Sequence, residues 1–231
     1  MFRAFRPVAF FLALSASTCI FAQSPDSSQT AALRRIEQQM VAVKGNPKKE
    51  LAGFSIAKYE ITQQDWQAIM GSAAPSRPAE AGCALCPVGV TWHDAQAFVA
   101  KLRSLSGKNY SLPSAAQWEW AAAAGKKSKY AGAKNAKELG SYAWFYDNSQ
   151  GRTHPVGNKK PNAWGLYDMN GNVEEWTLDA VNALPENRAV RGGHFAENAH
   201  NCAINIKDSY SVGKLNETTP QVIGIRLVLL P

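Results

Sequence analysis

Four cysteines carry the most distinctive chemistry in this 231-residue chain: Cys19, Cys83, Cys86 and Cys202. Cys83-Ala84-Leu85-Cys86 has C-x-x-C spacing, but no second pair stands elsewhere to complete a zinc site. Nor does a strand–helix pattern place it at a helix start, where a redox thiol would be activated. A local disulfide between Cys83 and Cys86 is the expectation. Cys202 is then a spare thiol, and a lone cysteine more often fills a small apolar space than acts as a nucleophile. The basic residues are less distinctive. Lys126-Lys127-Ser128-Lys129 and Lys159-Lys160 sit in loop-like stretches without interleaved aromatics. Despite a formal net charge of +7, they read as solvated loops and not as a nucleic-acid surface.

The compartment decides which thiol chemistry is possible, and the first 22 residues address it. Arg3 and Arg6 precede a short apolar run from Val8 to Ala16, and small residues lead to Ala22 before Gln23-Ser24-Pro25. This is the layout of a secretory signal peptide, cleaved near Ala22. Export to the periplasm or beyond is expected, an oxidising setting in which Cys83 and Cys86 would bridge. Cys19 raises a lipid-anchored variant, although Ala16-Ser17-Thr18 makes a poor lipobox. No segment approaches the ~20 apolar residues of a spanning helix. Removing 22 of 231 residues leaves about 209, enough for one domain with a sizeable core. Seven tryptophans in that length suit a loop-rich fold, since each combines large apolar area with one N–H that wants a partner.

The elements that must position these residues are short. Residues 23–30 are polar and read as a disordered lead-in, with a short helix over Ala31–Gln38 and a strand over Met40–Val43. Phe54–Ile61 alternates apolar and polar as a half-buried strand does. Thr62 with Asp65, and Ser114 with Gln117, have the spacing of capping boxes. They predict helices over Gln63–Met70 and from Ala115 onward, ended near Gly71 and Gly125. Between them His93–Leu105 repeats Ala95, Phe98, Val99, Leu102 and Leu105 at helical spacing and stops at Gly107. Residues 126–162 lack periodicity, and a loop that long inside a compact domain tends to be functional. Short apolar segments follow at Gly165–Met169, Val173–Thr177, Ala189–Phe195 and Ile223–Leu230, the last read as a core strand. Residues 39–231 are expected to form one α+β domain.

Several islands then fall into a recognisable order. They are Lys58-Tyr59-Glu60-Ile61-Thr62 with Trp66, Pro87 to Ala95, and Leu112-Pro113-Ser114 with Trp118-Glu119-Trp120-Ala121-Ala122. His154-Pro155-Val156-Gly157, Asn162 to Met169, and Gly171-Asn172-Val173-Glu174-Glu175-Trp176 follow. Arg191-Gly192-Gly193, Asn201-Cys202 and Gly224-Ile225-Arg226 complete the order. Over roughly residues 40–230 the chain resembles the sulfatase-modifying factor, or formylglycine-generating enzyme, family. The resemblance implies a complex C-type-lectin-like fold with few helices, short antiparallel strands and much irregular structure.

Active members of that family oxidise a peptide cysteine to formylglycine with oxygen and a copper ion held by two thiolates after Arg-Gly-Gly. The second thiolate position falls on Cys202 and the first on Glu197. A carboxylate is too hard a ligand for Cu(I), so copper is not expected here. The resemblance also puts His194 where Ser is usual and Glu174 where Trp is usual, both in the pocket near the metal. Beyond it, Ala123, Ala115 and Gln117 stand where an Arg and two carboxylates are usual. Either the oxidase site has decayed into a binding surface, or Glu174, His194, Glu197 and His200 form a rebuilt nitrogen/oxygen site for iron, zinc or manganese. The resemblance further implies a structural calcium at Asp168, Gly171, Val173 and Glu175, against the plainer alternative of an Asn170-Gly171 turn with exposed acids. The expected function is a periplasmic module that binds a peptide or envelope protein, with Trp144, Trp164, Trp176 and the basic loop as contacts. A divergent oxygen-dependent oxidoreductase, or residual formylglycine formation through Cys202, is the alternative.

Overall fold

The computed structural model describes residues 24–74, 82–181, 184–211 and 223–231. The expected signal peptide and Cys19 lie outside the described residues. Among those described, no helix is long and apolar enough to cross a membrane.

Helix α1 (Ser27–Gln38) starts earlier than its composition suggests. Asp26 caps it, accepting from the Gln29 N–H at 2.8 Å, while Gln29 reaches back to the Asp26 N–H at 3.1 Å. The polar lead-in is therefore largely helical. Its buried face, Ala32 and Ile36, packs into the main core beside Trp66 and Ile69 of α2 (Gln63–Met70). At the start of α2 the Thr62 hydroxyl accepts from the Asp65 N–H, as expected. The Asp65 carboxylate, however, takes the Thr62 hydroxyl and the Arg35 guanidinium and not the Thr62 backbone. Helices α3 (Trp92–Ser106) and α4 (Ala115–Ala122) carry full capping boxes at Thr91/Asp94 and Ser114/Gln117. Glycine in the left-handed region ends α2 and α3, at Gly71 and Gly107. Phe98, Val99 and Leu102 of α3 are buried, each such side chain stabilising the fold by roughly 1.5–3 kcal/mol.

Two four-stranded sheets complete the α+β fold. One has the order β1 (Met40–Val43), β2 (Phe54–Ala57), β8 (Val228–Leu229), β3 (Tyr110–Ser111). The other runs β6 (Asp208–Ser211), β5 (Leu184–Arg191), β4 (Glu174–Val181), β7 (Ile223–Gly224). All pairs are antiparallel except β4 with β7. Two segments depart from the sequence reading. Strand β2 stops at Ala57, so Glu60 and Ile61 are buried beyond it. The apolar run Ile223–Leu230 is two short strands in different sheets, with Arg226 at the crossing. The aperiodic stretch after α4 has a small core of its own, in which Tyr130, Leu139 and Phe145 meet Cys202 and Ala203.

Candidate functional site

Strand period two sends neighbouring side chains to opposite faces, and both faces of β4 are covered at its start. Glu175 therefore points into a structural network and Glu174 into a different cluster. Glu175 receives Arg226 Nε at 2.9 and 3.0 Å, Arg226 Nη2 at 2.7 Å and Trp118 Nε1 at 2.6 Å, all fully buried. Glu174 is 1 % exposed, and neither of its oxygens has a hydrogen-bond partner.

The chain returns to Glu174 through Gly192 and Gly193, both at positive φ. A Cβ on Gly193 would lie 2.8 Å from Glu197 Oε2 and 2.9 Å from Cys202 Cα, so only glycine lets the 194–202 loop fold back this tightly. That loop delivers His194, Glu197 and Cys202. Strand β6, paired with β5 at Val190 and Asp208, brings in Asp208. Glu174, Glu197 and Asp208 each offer a carboxylate oxygen, and these atoms all lie within 4.8 Å of one another.

Burial governs the protonation here. It raises Glu174 to about 8, with the charges of Glu197 and Asp208 adding to the shift. The Tyr210 hydroxyl lies beside Glu174 and offsets a little of this, without hydrogen-bonding geometry. Burial and then Asp208 also raise Glu197, whose Oε2 is buried without a partner. His194 is held neutral by burial, at about 4. Its Nδ1 accepts from the Ala196 N–H at 3.2 Å, which leaves the proton on Nε2, 4.0 Å from Glu197 Oε1. The Cys202 thiol is fully buried, lies 3.9 Å from the His194 carbonyl, and is pushed well above the ordinary range by burial and then by Glu197 and Glu174. It stays a thiol.

The structure thus gathers Glu174, His194, Glu197 and Cys202 around the Arg191-Gly192-Gly193 turn. His200 is exposed and gives no ligand atom to the acidic group. Nor does His194, whose one free nitrogen carries a proton. Asp208 went unread in the sequence, because a single acid opening a four-residue strand has no motif to announce it. The residues do not fit copper: one protonated thiol beside three carboxylates is a hard, acidic setting. Cys83 and Cys86 are joined by a disulfide.

At the loop read for calcium, Asp168 Oδ2 accepts from the Gly157 N–H at 2.7 Å, and its Oδ1 is buried without a partner. Burial raises Asp168 to about 6, and raises the adjoining Glu60, both of whose oxygens are unpartnered. The second carboxylate of the implied set, Glu175, is engaged by Arg226 and Trp118. The acids of this loop are buried, not exposed, and Glu175 serves the fold. A cation held here would rely on Asp168 and backbone carbonyls without it.

Of the expected contact residues, Trp176 is buried, its Nε1 donating to Val90 O at 2.8 Å, so it meets no partner. Trp144 is half-buried, stacked on His154 at 3.7 Å and capped by Lys159 Nζ at 3.7 Å. Trp164 meets Trp120 edge-on at 5.8 Å. Tyr146, one of the aromatics of the aperiodic 126–162 stretch, is 70 % exposed, and its N–H donates to Glu197 O at 2.8 Å. Its backbone is thereby tied to the 194–202 loop.

Capped short helices, two small sheets and a loop folded back on an Arg-Gly-Gly turn define an α+β domain of the formylglycine-generating-enzyme type. The chain belongs to the sulfatase-modifying factor enzyme 1-like domain family, whose model matches residues 27–230. It is 28% identical over a 241-residue alignment to the chaperone protein LppX of Paenibacillus barcinonensis, covering 77% of this chain and 80% of that protein. It is 32% identical over 127 residues to the inactive C-alpha-formylglycine-generating enzyme 2 of Bos taurus, covering 50% of this chain and 40% of that protein. Among solved structures, Treponema denticola variable protein 1 superposes with a TM-score of 0.68 at 29% identity, covering 78% of this chain and 85% of that one.

Proposed function

We propose that this protein is an exported, partner-binding member of its family and not a formylglycine-forming oxidase. The observation that carries the reading is the pairing of Glu197 with a single buried, protonated Cys202 where the oxidase chemistry needs two thiolates. A relative that aligns over about four-fifths of its own length is named a chaperone, which supports a role in holding another polypeptide. The partner is a peptide or envelope protein. It would dock on Tyr146, exposed next to the 194–202 loop, since an aromatic side chain supplies large contact area at low entropy cost. Lys126, Lys127 and Lys129, all exposed, would favour an acidic partner.

Two measurements test this. A cysteine-containing sulfatase peptide incubated with the protein, copper and oxygen should keep its mass, and an aldehyde product would overturn the reading. Crosslinking capture from an envelope fraction at physiological salt should retain a partner, and Tyr146→Ala should weaken its retention at least about tenfold. Equal retention by the Tyr146→Ala variant would remove the proposed surface.

A further inference from the structure

We propose that Glu174, Glu197 and Asp208 form a binding site for a hard divalent cation of the calcium or manganese kind, beside His194 and Cys202. Two independent observations carry it. The first is geometric: one oxygen from each carboxylate falls within a mutual distance of 4.8 Å. Opposite oxygens around an ion at 2.3–2.6 Å from each are at most about 5 Å apart, so the three fit one coordination sphere. The second is the state of Glu174. It is 1 % exposed and aimed into the group with both oxygens unpartnered, and Glu197 Oε2 is likewise buried and bare. Buried carboxylates in native proteins are nearly always bonded or paired. Among the described residues, no lysine or arginine forms an ion pair with any of the three.

The donor set determines the class of ion. Three oxygens without an available imidazole favour calcium, manganese or magnesium over copper or zinc, and a small octahedral ion would hold waters in its other positions. Glu197 and Asp208 are only partly buried, so the cluster is not sealed from solvent. The three ligands come from β4, the 194–202 loop and β6, so an occupied site would lock the returning loop onto the sheet. A proton on Glu174 is the competing way to remove its charge, and the two differ in what a variant does.

Chelator-treated protein at about pH 8 should take up Mn2+, followed by electron paramagnetic resonance as loss of the free-ion signal, and Ca2+ should compete. Glu174→Gln and Asp208→Asn should each weaken Mn2+ uptake at least about tenfold. Asp168→Asn, in the separate loop, should leave it unchanged. Without metal, Glu174→Gln should melt no lower than the parent, showing that the variant folds, and added Mn2+ should raise the melting temperature of the parent alone. Mn2+ uptake that survives both Glu174→Gln and Asp208→Asn would overturn the site, as would loss in Asp168→Asn only. So would a parent that binds no Mn2+ while its melting matches the Glu174→Gln variant, since the cluster would then be held by protons.

Discussion

Arg226 is the residue on which the two sheets depend. It lies between β7 and β8, donating Nη1 to Ala57 O beside one sheet, Nη2 to Tyr167 O, and the rest of its fork to Glu175 of the other. Removing one partner of a buried, fully bonded ion pair leaves the other charge stranded. Arg226→Met or Glu175→Gln should therefore cost about 3–5 kcal/mol. Arg226→Met combined with Glu175→Leu should cost much less than the two single changes together. Urea midpoints with unchanged slopes would measure this, and a single-variant cost below about 1 kcal/mol would show the pair is not the tie described. At this scale the cluster was legible where a family pattern put particular types at particular positions: Glu197, Cys202, His194 and Glu174. Asp208 was not, since it meets them only through the pairing of β6 with β5. Trp176 misled for the opposite reason, because a tryptophan's type says nothing of which face of a doubly covered strand it occupies.

At the scale of elements, α2 and α4 were legible from the capping residues at their starts, and α3 from the apolar spacing of its buried face. The cap of α3 went unread: the Thr91 hydroxyl accepts the Asp94 N–H at 3.1 Å, while the Asp94 carboxylate takes the Thr91 N–H at 3.2 Å and its hydroxyl at 2.6 Å. Those partners satisfy N–H groups that the first turn cannot bond internally. Thr91→Ala should cost about 1 kcal/mol, with Thr91→Ser recovering most of it in the same thermal melts. No loss on removing the hydroxyl would mean that the buried face of α3 alone sets where the helix begins. The strands were less legible. Ile223 to Leu230 reads as one apolar run, yet burial on both sides is equally satisfied by two short strands that cross between sheets. The start of α1 was hidden because Asp26 and Gln29 lie in a stretch whose average polarity masks a capping box.

For the whole molecule, the unusual feature is how strongly burial works against the charged forms of its ionisable groups. Glu60 and Glu174 are raised by burial, Glu174 to about 8, while His194 is lowered to about 4. Glu174 faces Glu197, Asp208 and Tyr210, and Glu60 faces Asp168, Glu175 and Arg226. The signs differ. A raised carboxylate contributes stability that is complete below its unfolded value and is lost as pH rises towards its folded one. A depressed histidine does the reverse, so between pH 4 and about 6.5 His194 offsets part of what the acids lose. Above that range His194 no longer opposes the acids. In chelator, stability should fall between about pH 6.5 and 8 by roughly 2 kcal/mol, or about 5 °C in melting temperature. Glu174→Gln should flatten that limb, because glutamine has no proton to lose. Divalent cation should flatten it too, by holding the ionised cluster in place of the proton. A melting temperature that climbs from pH 6.5 to 8 in chelator, or a fall that persists unchanged in the Glu174→Gln variant, would show that the buried acids are not what limits the fold at alkaline pH.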